Sequence, residues 1–390
     1  MRQDLRIGFV SVGDATDLHL WSGVPSQVVQ SLQRLGVHVE LYSPLKTKKK
    51  YLLAPIKLFA RISTSNIPCD RFPFILKAYA NQISRALQER PVDVIVSTSS
   101  IPITLLKCTQ PIIFWTDAVF HAMYDYYNNN EFGGMSPAAV RRGKRQEEAA
   151  LKNCTFAAYS SQWAAQSARQ FTDHQKIQVL PFGANLAVPH TRTDVEQWVR
   201  QKRKERHGRC ELLFIGVDWA RKGGTIAVEV AKLLNDAGIS TTLTVVGCQP
   251  PGTLPDYVRV LGFISKKTLE GRSQLQSLLR SSDFFILPTL AEASGIVFCE
   301  ASAFGLPILS YATGGVPDYV RTGVNGVCFP VGTPAAGFAQ AIQSNIQDAG
   351  LYEALCLSAF REYENRLNWD SSVSALVDLC QRALEPTVCA

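Results

Sequence analysis

Residues 284–305 decide the fold, and they read Phe284-Phe-Ile-Leu-Pro-Thr-Leu-Ala-Glu292-Ala-Ser-Gly295-Ile-Val-Phe-Cys-Glu300-Ala-Ser-Ala-Phe-Gly305. An apolar run stops at a short polar loop, and a helix-compatible pattern follows at once, which is typical of an α/β sheet. Glu292 is expected where the strand ends, and Glu300 about two turns into the helix. Both carboxylates are therefore predicted at one crevice on the carboxyl edge of the sheet.

The same order of strand, loop and helix recurs through the chain. In the first half, strand patterns fall at Leu5–Val12, His38–Ser43, Val92–Thr98, Pro111–Asp117, Thr155–Ser161 and Ile177–Gly183. In the second half, they fall at Glu211–Val217, Thr241–Gly247, Tyr257–Gly262, Asp283–Thr289, Pro307–Ala312 and Gly326–Pro330. Helical patterns lie between most of these strands, which predicts an α/β protein with two parallel, doubly wound sheets.

The length of 390 residues favours two domains, and the composition turns charged between Asn185 and Arg209 without a strand pattern. We predict a Rossmann-like N-terminal domain over residues 1–185 and a second one over residues 186–368. Residues 369–390 are predicted as a closing helix that packs back towards the first domain. Two such halves, facing each other, create a cleft, which is a common location for a ligand.

Composition excludes several classes of protein. Hydrophobic residues make up 46% of the chain and charged residues 19%, and no run of apolar residues is long enough to span a membrane. The N-terminus begins with a strand pattern rather than a signal region, so we expect a cytoplasmic protein. The 10 cysteines form no CxxC pair or metal-spaced cluster, which favours reduced thiols.

A cationic loop follows the first strand of the second half. Arg221 and Lys222 precede Gly223 and Gly224, a pattern that suits a diphosphate held by side chains and bare backbone. A solvated basic turn is the alternative interpretation. The first strand of the chain leads into Leu20-Trp-Ser-Gly23-Val-Pro25 without GxGxxG, which argues against a nicotinamide-dependent dehydrogenase.

Glu300 lies in an otherwise apolar run, where a solvated helix face has little room. A buried carboxylate needs a partner, and ribose hydroxyls are one candidate. Taken alone, two glutamates eight residues apart are more often surface acids. The apolar surroundings of Glu300 and the cationic loop favour a ligand site instead.

These motifs resemble the retaining glycosyltransferases of family 4, which have the GT-B fold. The resemblance rests on Glu292-x7-Glu300, on the Gly305-Leu-Pro307 that follows it, and on Thr313-Gly-Gly315-Val-Pro-Asp-Tyr-Val-Arg-Thr-Gly323-Val-Asn-Gly326. Gly216-x5-Lys222-Gly223 is similar to the phosphate loop of that family, and Val179-Leu-Pro-Phe-Gly183-Ala-Asn185 resembles its hinge.

The resemblance implies a nucleotide-sugar donor, UDP- or GDP-linked, held mainly by the second domain, and an acceptor held mainly by the first. It implies that Glu300 binds the ribose, that Glu292 faces the donor sugar and its leaving group, and that Lys222 binds the diphosphate. The nucleobase is expected near Gly262 and Phe263, through backbone and apolar contacts. No metal and no cofactor besides the donor substrate are expected, because the chain has no Asp-x-Asp and no His/carboxylate cluster.

The diphosphate must then be neutralised by other groups. The candidates are Lys222, Arg221, Gly223, Gly23 and the residues Ser294, Gly295, Ile296 and Val297 at the helix N-terminus. Retention without an enzyme nucleophile fits front-face attack, in which the leaving phosphate helps to deprotonate the acceptor hydroxyl.

The chain departs from the family at two positions. Val217 stands where the family usually has arginine, and Arg221 is our candidate for the missing cation. Many members carry a catalytic histidine in the first domain after the fourth or fifth strand. Here Asp117 occupies that position and His121 lies one helical turn on, so both are catalytic candidates and Asp117 is favoured. A packed or surface histidine is the alternative for His121.

A basic segment in the first half, Lys46–Arg61, interleaves cations with apolar residues. It predicts either a peripheral contact with an anionic membrane or a solvated loop that Pro55 interrupts. Nucleic acid is not expected as a partner, because no stacking platform or binding motif accompanies these cations.

The leading hypothesis is a retaining, metal-independent hexosyltransferase that uses a nucleotide sugar and an acceptor glycan, lipid or small molecule. One alternative is a catalytically weak GT-B protein that binds a nucleotide sugar as a sensor or scaffold. The presence of Val217 in place of the usual arginine is the observation in favour of this alternative. Another is a nucleotide-sugar epimerase, which would act without an acceptor. The sugar, the base and the acceptor are not readable from the sequence.

Overall fold

The computed structural model describes residues 5–54, 68–127, 134–187, 190–205 and 208–385. The chain divides into two compact units: Met1–Leu180 together with Ser372–Ala390, and Pro181–Ser371. Within the described ranges, no helix is long and apolar enough to cross a membrane.

The first unit contains a parallel six-stranded sheet, whose strands are ordered β2-β1-β3-β4-β5-β6. The strands are β1 (Arg6–Val10), β2 (His38–Tyr42), β3 (Val94–Ser97), β4 (Ile112–Thr116), β5 (Phe156–Tyr159) and β6 (Ile177–Val179). The α-helices are α1 (Val24–Arg34), α2 (Pro73–Glu89), α3 (Ser100–Ile103), α4 (Phe120–Tyr126), α5 (Pro137–Asn153) and α6 (Gln162–Ala168). Short 3-10 helices lie at Leu20–Gly23, Lys48–Leu53, Cys69–Arg71 and His174–Lys176.

The second unit repeats this plan with a parallel sheet ordered β12-β11-β10-β7-β8-β9. Its strands are β7 (Arg209–Ile215), β8 (Ser240–Val246), β9 (Val258–Gly262), β10 (Phe284–Leu287), β11 (Ile308–Tyr311) and β12 (Gly326–Phe329). Its α-helices are α7 (Arg192–Glu205), α8 (Gly224–Asp236), α9 (Leu269–Ser281), α10 (Ile296–Ala303), α11 (Val316–Tyr319), α12 (Ala335–Gln347) and α13 (Ala349–Asn365). Helix α14 (Trp369–Ala383) follows, and its residues from Ser372 onwards group with the first unit.

The predicted fold class is confirmed, because both sheets are parallel and each predicted strand is present. Strands β3, β4, β10 and β11 are buried along their whole length, since helices cover both faces of a parallel sheet. The predicted ends run past the observed ones where an apolar residue continues into a loop. For example, β6 ends at Val179, whereas the pattern predicted Ile177–Gly183.

The closing helix α14 is also present where the helical spacing predicted it. Its last turn contacts the first unit, because the Arg382 guanidinium lies 5.0 Å from the centroid of the Phe156 ring at the start of β5. At its N-terminal end, the Trp369 indole donates a hydrogen bond to Asn185 in the second unit.

Each sheet has one position where the chain reverses its direction of travel across the strands. In the first sheet this position lies between β1 and β3, and in the second it lies between β7 and β10. At such a position the two loops at the carboxyl edge run apart and leave a crevice, where ligands of open α/β sheets bind. Both crevices contain residues that the sequence had indicated.

Candidate functional site

The crevice of the second sheet is formed by the loop after β7 and the loop after β10. Gly223 lies in the first loop with φ +77°, and a Cβ there would stand 2.1 Å from the carbonyl oxygen of Pro288. Only glycine allows the two loops to approach so closely. Gly223 in the Arg221-Lys222-Gly223-Gly224 pattern therefore has a packing reason, and its predicted contact with a diphosphate stays a prediction.

Lys222 and Glu292 form an ion pair across this crevice, between Lys222 Nζ and Glu292 Oε2. Both side chains are nearly buried, with 12% and 13% of their surface exposed. A charge removed from water to this extent is stable only beside an opposite charge. The structure thus brings together two residues that the sequence had assigned to the diphosphate and to the donor sugar.

Arg221 is bound to the backbone of the loop after β10. Its Nη1 donates to the carbonyl oxygen of Ala291 at 2.8 Å, and its own carbonyl oxygen accepts from the amide of Leu290 at 2.8 Å. Its Nε lies 3.4 Å from Asp218 Oδ2. These contacts hold the loop that carries Glu292, and the predicted role of Arg221 as the missing phosphate cation stays a prediction.

Glu300 is the most deeply buried of the predicted acids, at 1% exposure. Helix α10 begins at Ile296, so Glu300 lies about one turn into it. The expectation of two turns was wrong, because Ala293, Ser294 and Gly295 remain in the loop.

Lys266 pairs with Glu300 through its Nζ and Glu300 Oε1. It lies between β9 and α9, 34 positions before Glu300. No motif marks Lys266 in the sequence, where its only signal is the Lys266-Lys267 doublet after Gly262 and Phe263.

The N-terminus of α10 carries Ser294, Gly295, Ile296 and Val297. Gly295 is the N-cap, and a Cβ there would meet the Phe298 ring at 2.0 Å. The first amides of a helix have no partner within the helix, and the helix dipole favours an anion at this end. These residues lie in the same loop as Glu292.

Gly262 and Phe263 lie at the end of β9, at the same edge of the sheet. Gly262 has φ +66°, and its carbonyl oxygen accepts from the amide of Gly247 at 2.8 Å. Phe263 is 68% exposed, which leaves its ring open to a planar ligand.

The crevice of the first sheet holds a cavity of about 300 Å³. It lies at the carboxyl ends of β1, β3 and β4. Its lining comprises Ser11, Val12, Gly13, Leu20, Trp21, Pro25, Arg71, Thr98, Ser99, Ser100, Ile101, Phe114, Thr116, Asp117, Ala118, Phe120, Met123 and Glu147. The cavity thus contains Asp117 but not His121.

His121 is instead packed within the first unit. It is 8% exposed and stacks on Phe171, with 3.9 Å between ring centroids, and its Nε2 lies 3.3 Å from Glu148 Oε1. Of the two residues considered for the histidine position of the family, Asp117 is the one that lines the cavity.

Asp117 accepts a hydrogen bond from the Trp21 indole, with 3.2 Å between Nε1 and Oδ2. Burial raises the pKa of the Asp117 carboxyl to about 6, although the Trp21 hydrogen bond works in the opposite direction. Trp21, Ser22 and Gly23 have φ of 46°, 54° and 84°, so three successive residues adopt the left-handed conformation. Gly23 is the N-cap of α1.

Glu147 is the second carboxyl of the cavity, and it is 2% exposed. Ser100 donates its hydroxyl to Glu147 Oε2 at 2.5 Å. Burial raises the pKa of Glu147, and the positive charge of Arg71 opposes that shift. Neither Glu147 nor Arg71 is marked as a site residue in the sequence, because each lies in a helical segment without a motif.

Within the ranges that the structure describes, no three His, Cys, Asp or Glu side chains are arranged to hold a metal ion.

Comparison with known proteins gives a family match in the second unit. Residues 209–348 match the family model of the Glycosyl transferases group 1. The matched range includes Lys222, Glu292, Lys266 and Glu300.

The glycogen synthase of Mycobacterium tuberculosis (strain H37Rv) is 28% identical over 200 residues, which cover 49% of this chain and 47% of that protein. The chain thus spans about half the length of the curated relatives it matches. Among solved structures, sucrose-phosphate synthase from Thermosynechococcus elongatus aligns with a TM-score of 0.69 at 17% identity, covering 97% of this chain and 98% of the other. Anabaena HepE in complex with UDP and glucose aligns with a TM-score of 0.61 at 14% identity, covering 97% and 99%. The fold is therefore GT-B.

Proposed function

We propose that this protein is a retaining hexosyltransferase that moves a sugar from a UDP- or GDP-linked donor to an acceptor hydroxyl. The observation that carries the proposal is the pair of ion pairs at one sheet edge, Lys222 with Glu292 and Lys266 with Glu300. The two lysines follow β7 and β9, and the two glutamates follow β10, so three loops converge on charged groups at the carboxyl edge.

The groups of a nucleotide sugar can interact with each of these charged side chains. Phosphate oxygens can replace the carboxylate of Glu292 around Lys222, which keeps the lysine compensated and leaves Glu292 to accept hydrogen bonds from the donor sugar. The amides of Ser294–Val297 add partial positive charge on the same side. The charge that develops on the leaving phosphate is then stabilised by groups that already lie at the crevice.

Glu300 suits the ribose for a related reason. A buried carboxylate accepts two hydrogen bonds from a diol readily, and Lys266 keeps its charge balanced. Phe263 offers an exposed ring for the base, in agreement with the resemblance to family 4. The HepE structure in complex with UDP and glucose supports this ligand class, since it has the same fold.

The chemical step proposed is attack on the same face of the sugar as the leaving group. The bond between the anomeric carbon and the phosphate oxygen breaks, and a bond to the acceptor oxygen forms. The acceptor hydroxyl passes its proton to the leaving phosphate. Retention and independence of a metal are parts of the proposal that come from the family resemblance.

Turnover of a donor panel tests this function. The full chain is incubated with UDP- and GDP-hexoses and a panel of sugars, polyols and glycolipids, with and without EDTA. We expect acceptor-dependent release of the nucleoside diphosphate, unaffected by EDTA, and a product whose proton NMR coupling matches the anomer of the donor. An inverted product contradicts retention, and loss of activity with EDTA contradicts metal independence.

A catalytically weak nucleotide-sugar binder is the second candidate, and it is favoured by Val217. Its side chain is an exposed apolar group in the phosphate loop, where the family usually has arginine. Calorimetric binding of a nucleotide sugar without transfer or hydrolysis would favour this sensor role. Isomerisation of the donor sugar in the absence of acceptor would favour an epimerase.

The proposal also includes a cytoplasmic location and a peripheral contact with an anionic membrane. Tyr51 and Leu52 are 79% and 70% exposed and lie beside lysines, which suits an interfacial anchor. The predicted segment Lys46–Arg61 is described only up to Ala54, and its remainder lies outside the described residues. Flotation with neutral and with anionic vesicles tests the contact, and absence from both vesicle fractions would exclude it.

A further inference from the structure

We propose that Lys266 is a positioning residue for the donor nucleotide, which acts through Glu300 and gives the site its preference for ribose over deoxyribose. This inference rests on the proposed function, because it deepens the role that the Glu300 carboxylate has there. No motif marks Lys266, and only the fold brings it to Glu300 across 34 positions of the chain.

The Glu300 carboxylate lies where water has almost no access. Its side chain is 2% exposed, and all of Phe298–Ala303 in α10 is buried. A carboxylate in such surroundings is stable as an anion only beside a cation or several hydrogen-bond donors. Among the residues that the structure describes, the one such partner is Lys266, whose Nζ pairs with Glu300 Oε1. The negative charge of Glu300 therefore depends on Lys266.

The two oxygens of this carboxylate have different surroundings. Oε1 accepts from Lys266, whereas Oε2 makes no hydrogen bond with any residue of the described ranges. An ionised carboxylate offers about four acceptor positions, so most of them remain for a ligand. Two adjacent hydroxyls, such as those of a ribose, fit this arrangement. Lys266 stays in place when they bind, because its departure would leave a buried charge without a partner.

The loop that carries Lys266 is fixed against the start of α9. The Arg272 guanidinium donates to the carbonyl oxygens of Lys266 and Lys267, at 2.8 and 3.0 Å. A Cβ on Gly271 would stand 2.0 Å from the carbonyl oxygen of Ser265, so glycine lets the loop approach the helix this closely. These backbone contacts hold the stem of Lys266 in the position from which its ammonium group reaches α10.

Loss of Lys266 should make Glu300 a poorer acceptor. A buried carboxylate without a cation takes up a proton or turns towards water, and in either case it binds hydroxyl hydrogens less well. Hydrogen bonds to charged groups contribute more than neutral ones, and a site built around such a bond rejects the analogue that lacks the hydroxyl. Lys266 thus determines how strongly the site distinguishes a ribonucleotide from its deoxy analogue.

Calorimetric titration of the full chain with nucleoside diphosphates and their 2′-deoxy analogues tests this role. UDP is compared with 2′-deoxy-UDP, and GDP with 2′-deoxy-GDP, and the preference is the ratio of the two Kd values. The wild type should prefer the ribonucleotide about tenfold, and Lys266→Met, which keeps the aliphatic stem, should lower this preference below about threefold. A merely structural role of Lys266 would weaken the binding of both nucleotides equally and leave the ratio unchanged.

Three further variants separate the charge of Lys266 from other effects. Lys266→Arg keeps the charge and should retain a preference of about fivefold or more. Lys267→Met removes the same charge from the adjacent, exposed residue and should leave the ratio unchanged. Lys266→Gln removes the charge but keeps a polar group, and its ratio decides the matter if circular dichroism shows that Lys266→Met does not fold.

Two results would overturn the inference. One is equal affinity of the wild type for a ribonucleotide and its deoxy analogue, and the other is a wild-type ratio in Lys266→Met. In either case nucleotide binding still supports the donor site, so this inference fails alone. Binding of neither UDP nor GDP would instead refute the proposed donor site, and the role of Lys266 with it.

Discussion

The two units carry crevices at equivalent positions of similar sheets, but the carboxylates in the two crevices have different kinds of partner. In the second unit, each carboxylate is paired with a lysine, and a glycine brings the loops into contact. In the first unit, Asp117 and Glu147 are held by an indole and a hydroxyl, and burial raises the pKa of both. The carboxylates of the second crevice are thus compensated by cations, whereas those of the first are compensated by neutral hydrogen-bond donors.

This difference between the two crevices follows from the residues in the loop after the first strand of each sheet. Lys222 is next to Gly223, whose lack of a side chain lets the loop after β7 reach the loop after β10. In the first unit, the loop after β1 carries Trp21 and Ser22, and Trp21 lines the cavity. The first loop of each unit thus places a different side chain at its crevice, a lysine in the second unit and a tryptophan in the first.

The largest effect is expected for Lys222→Ala. It removes the lysine that is paired with Glu292 and that we propose binds the leaving phosphate, so kcat/KM should fall about 10²- to 10³-fold. Steady-state kinetics with the donor found in the panel measure this loss. Lys232→Ala is the matched control, because Lys232 pairs with Asp236 on an exposed helix face, and it should change kcat/KM less than about twofold. Equal losses in both variants would contradict the assignment.

Glu300→Gln is expected to act mainly on nucleotide affinity. It removes the charge that we propose accepts the ribose hydroxyls and breaks the ion pair with Lys266, so the Kd for the nucleotide should rise about 10- to 100-fold. The turnover number should change much less, whereas Glu292→Gln should lower it. Calorimetry with UDP and GDP measures the affinity. Glu353→Gln, which breaks a surface pair with Arg200, should not change it.

Much of this architecture could be predicted from the sequence, because buried strands are continuous apolar runs. Glu300 could be singled out because it interrupts such a run. Lys266 could not, since its partner lies 34 residues away and only the fold brings them together. Trp21 was equally hidden, because nothing in Leu-Trp-Ser-Gly indicates that a tryptophan adopts positive φ. Sequence patterns report local periodicity, whereas these features depend on contacts between distant loops.

Gly223→Ala tests whether the close approach of the two loops is needed. Gly238 provides the control, because it has a similar φ of +83° but no atom within 4 Å of an added Cβ. Both alanines adopt the left-handed conformation, and only the first collides with Pro288. The free energy of unfolding should therefore fall by about 2 kcal/mol more for Gly223→Ala than for Gly238→Ala. Urea denaturation measures both, and equal losses would mean that the loops can separate freely.

An effect of similar size is expected in the pH dependence of stability through Asp117, whose pKa is raised from 3.8 to about 6 by burial. Between these values the folded protein holds a proton that the unfolded chain has released. The contribution of Asp117 to the free energy of unfolding is therefore largest below pH 4, and it is lost as the pH rises towards 6. The loss should amount to about 2 kcal/mol, after allowance for the partial exposure of the side chain. Urea midpoints of the wild type and of Asp117→Asn, which keeps an acceptor for Trp21, are compared from pH 4 to 7. The wild type should gain stability relative to Asp117→Asn as the pH falls. A difference independent of pH would mean that Asp117 is well solvated, and it would remove the electrostatic contrast with the second unit.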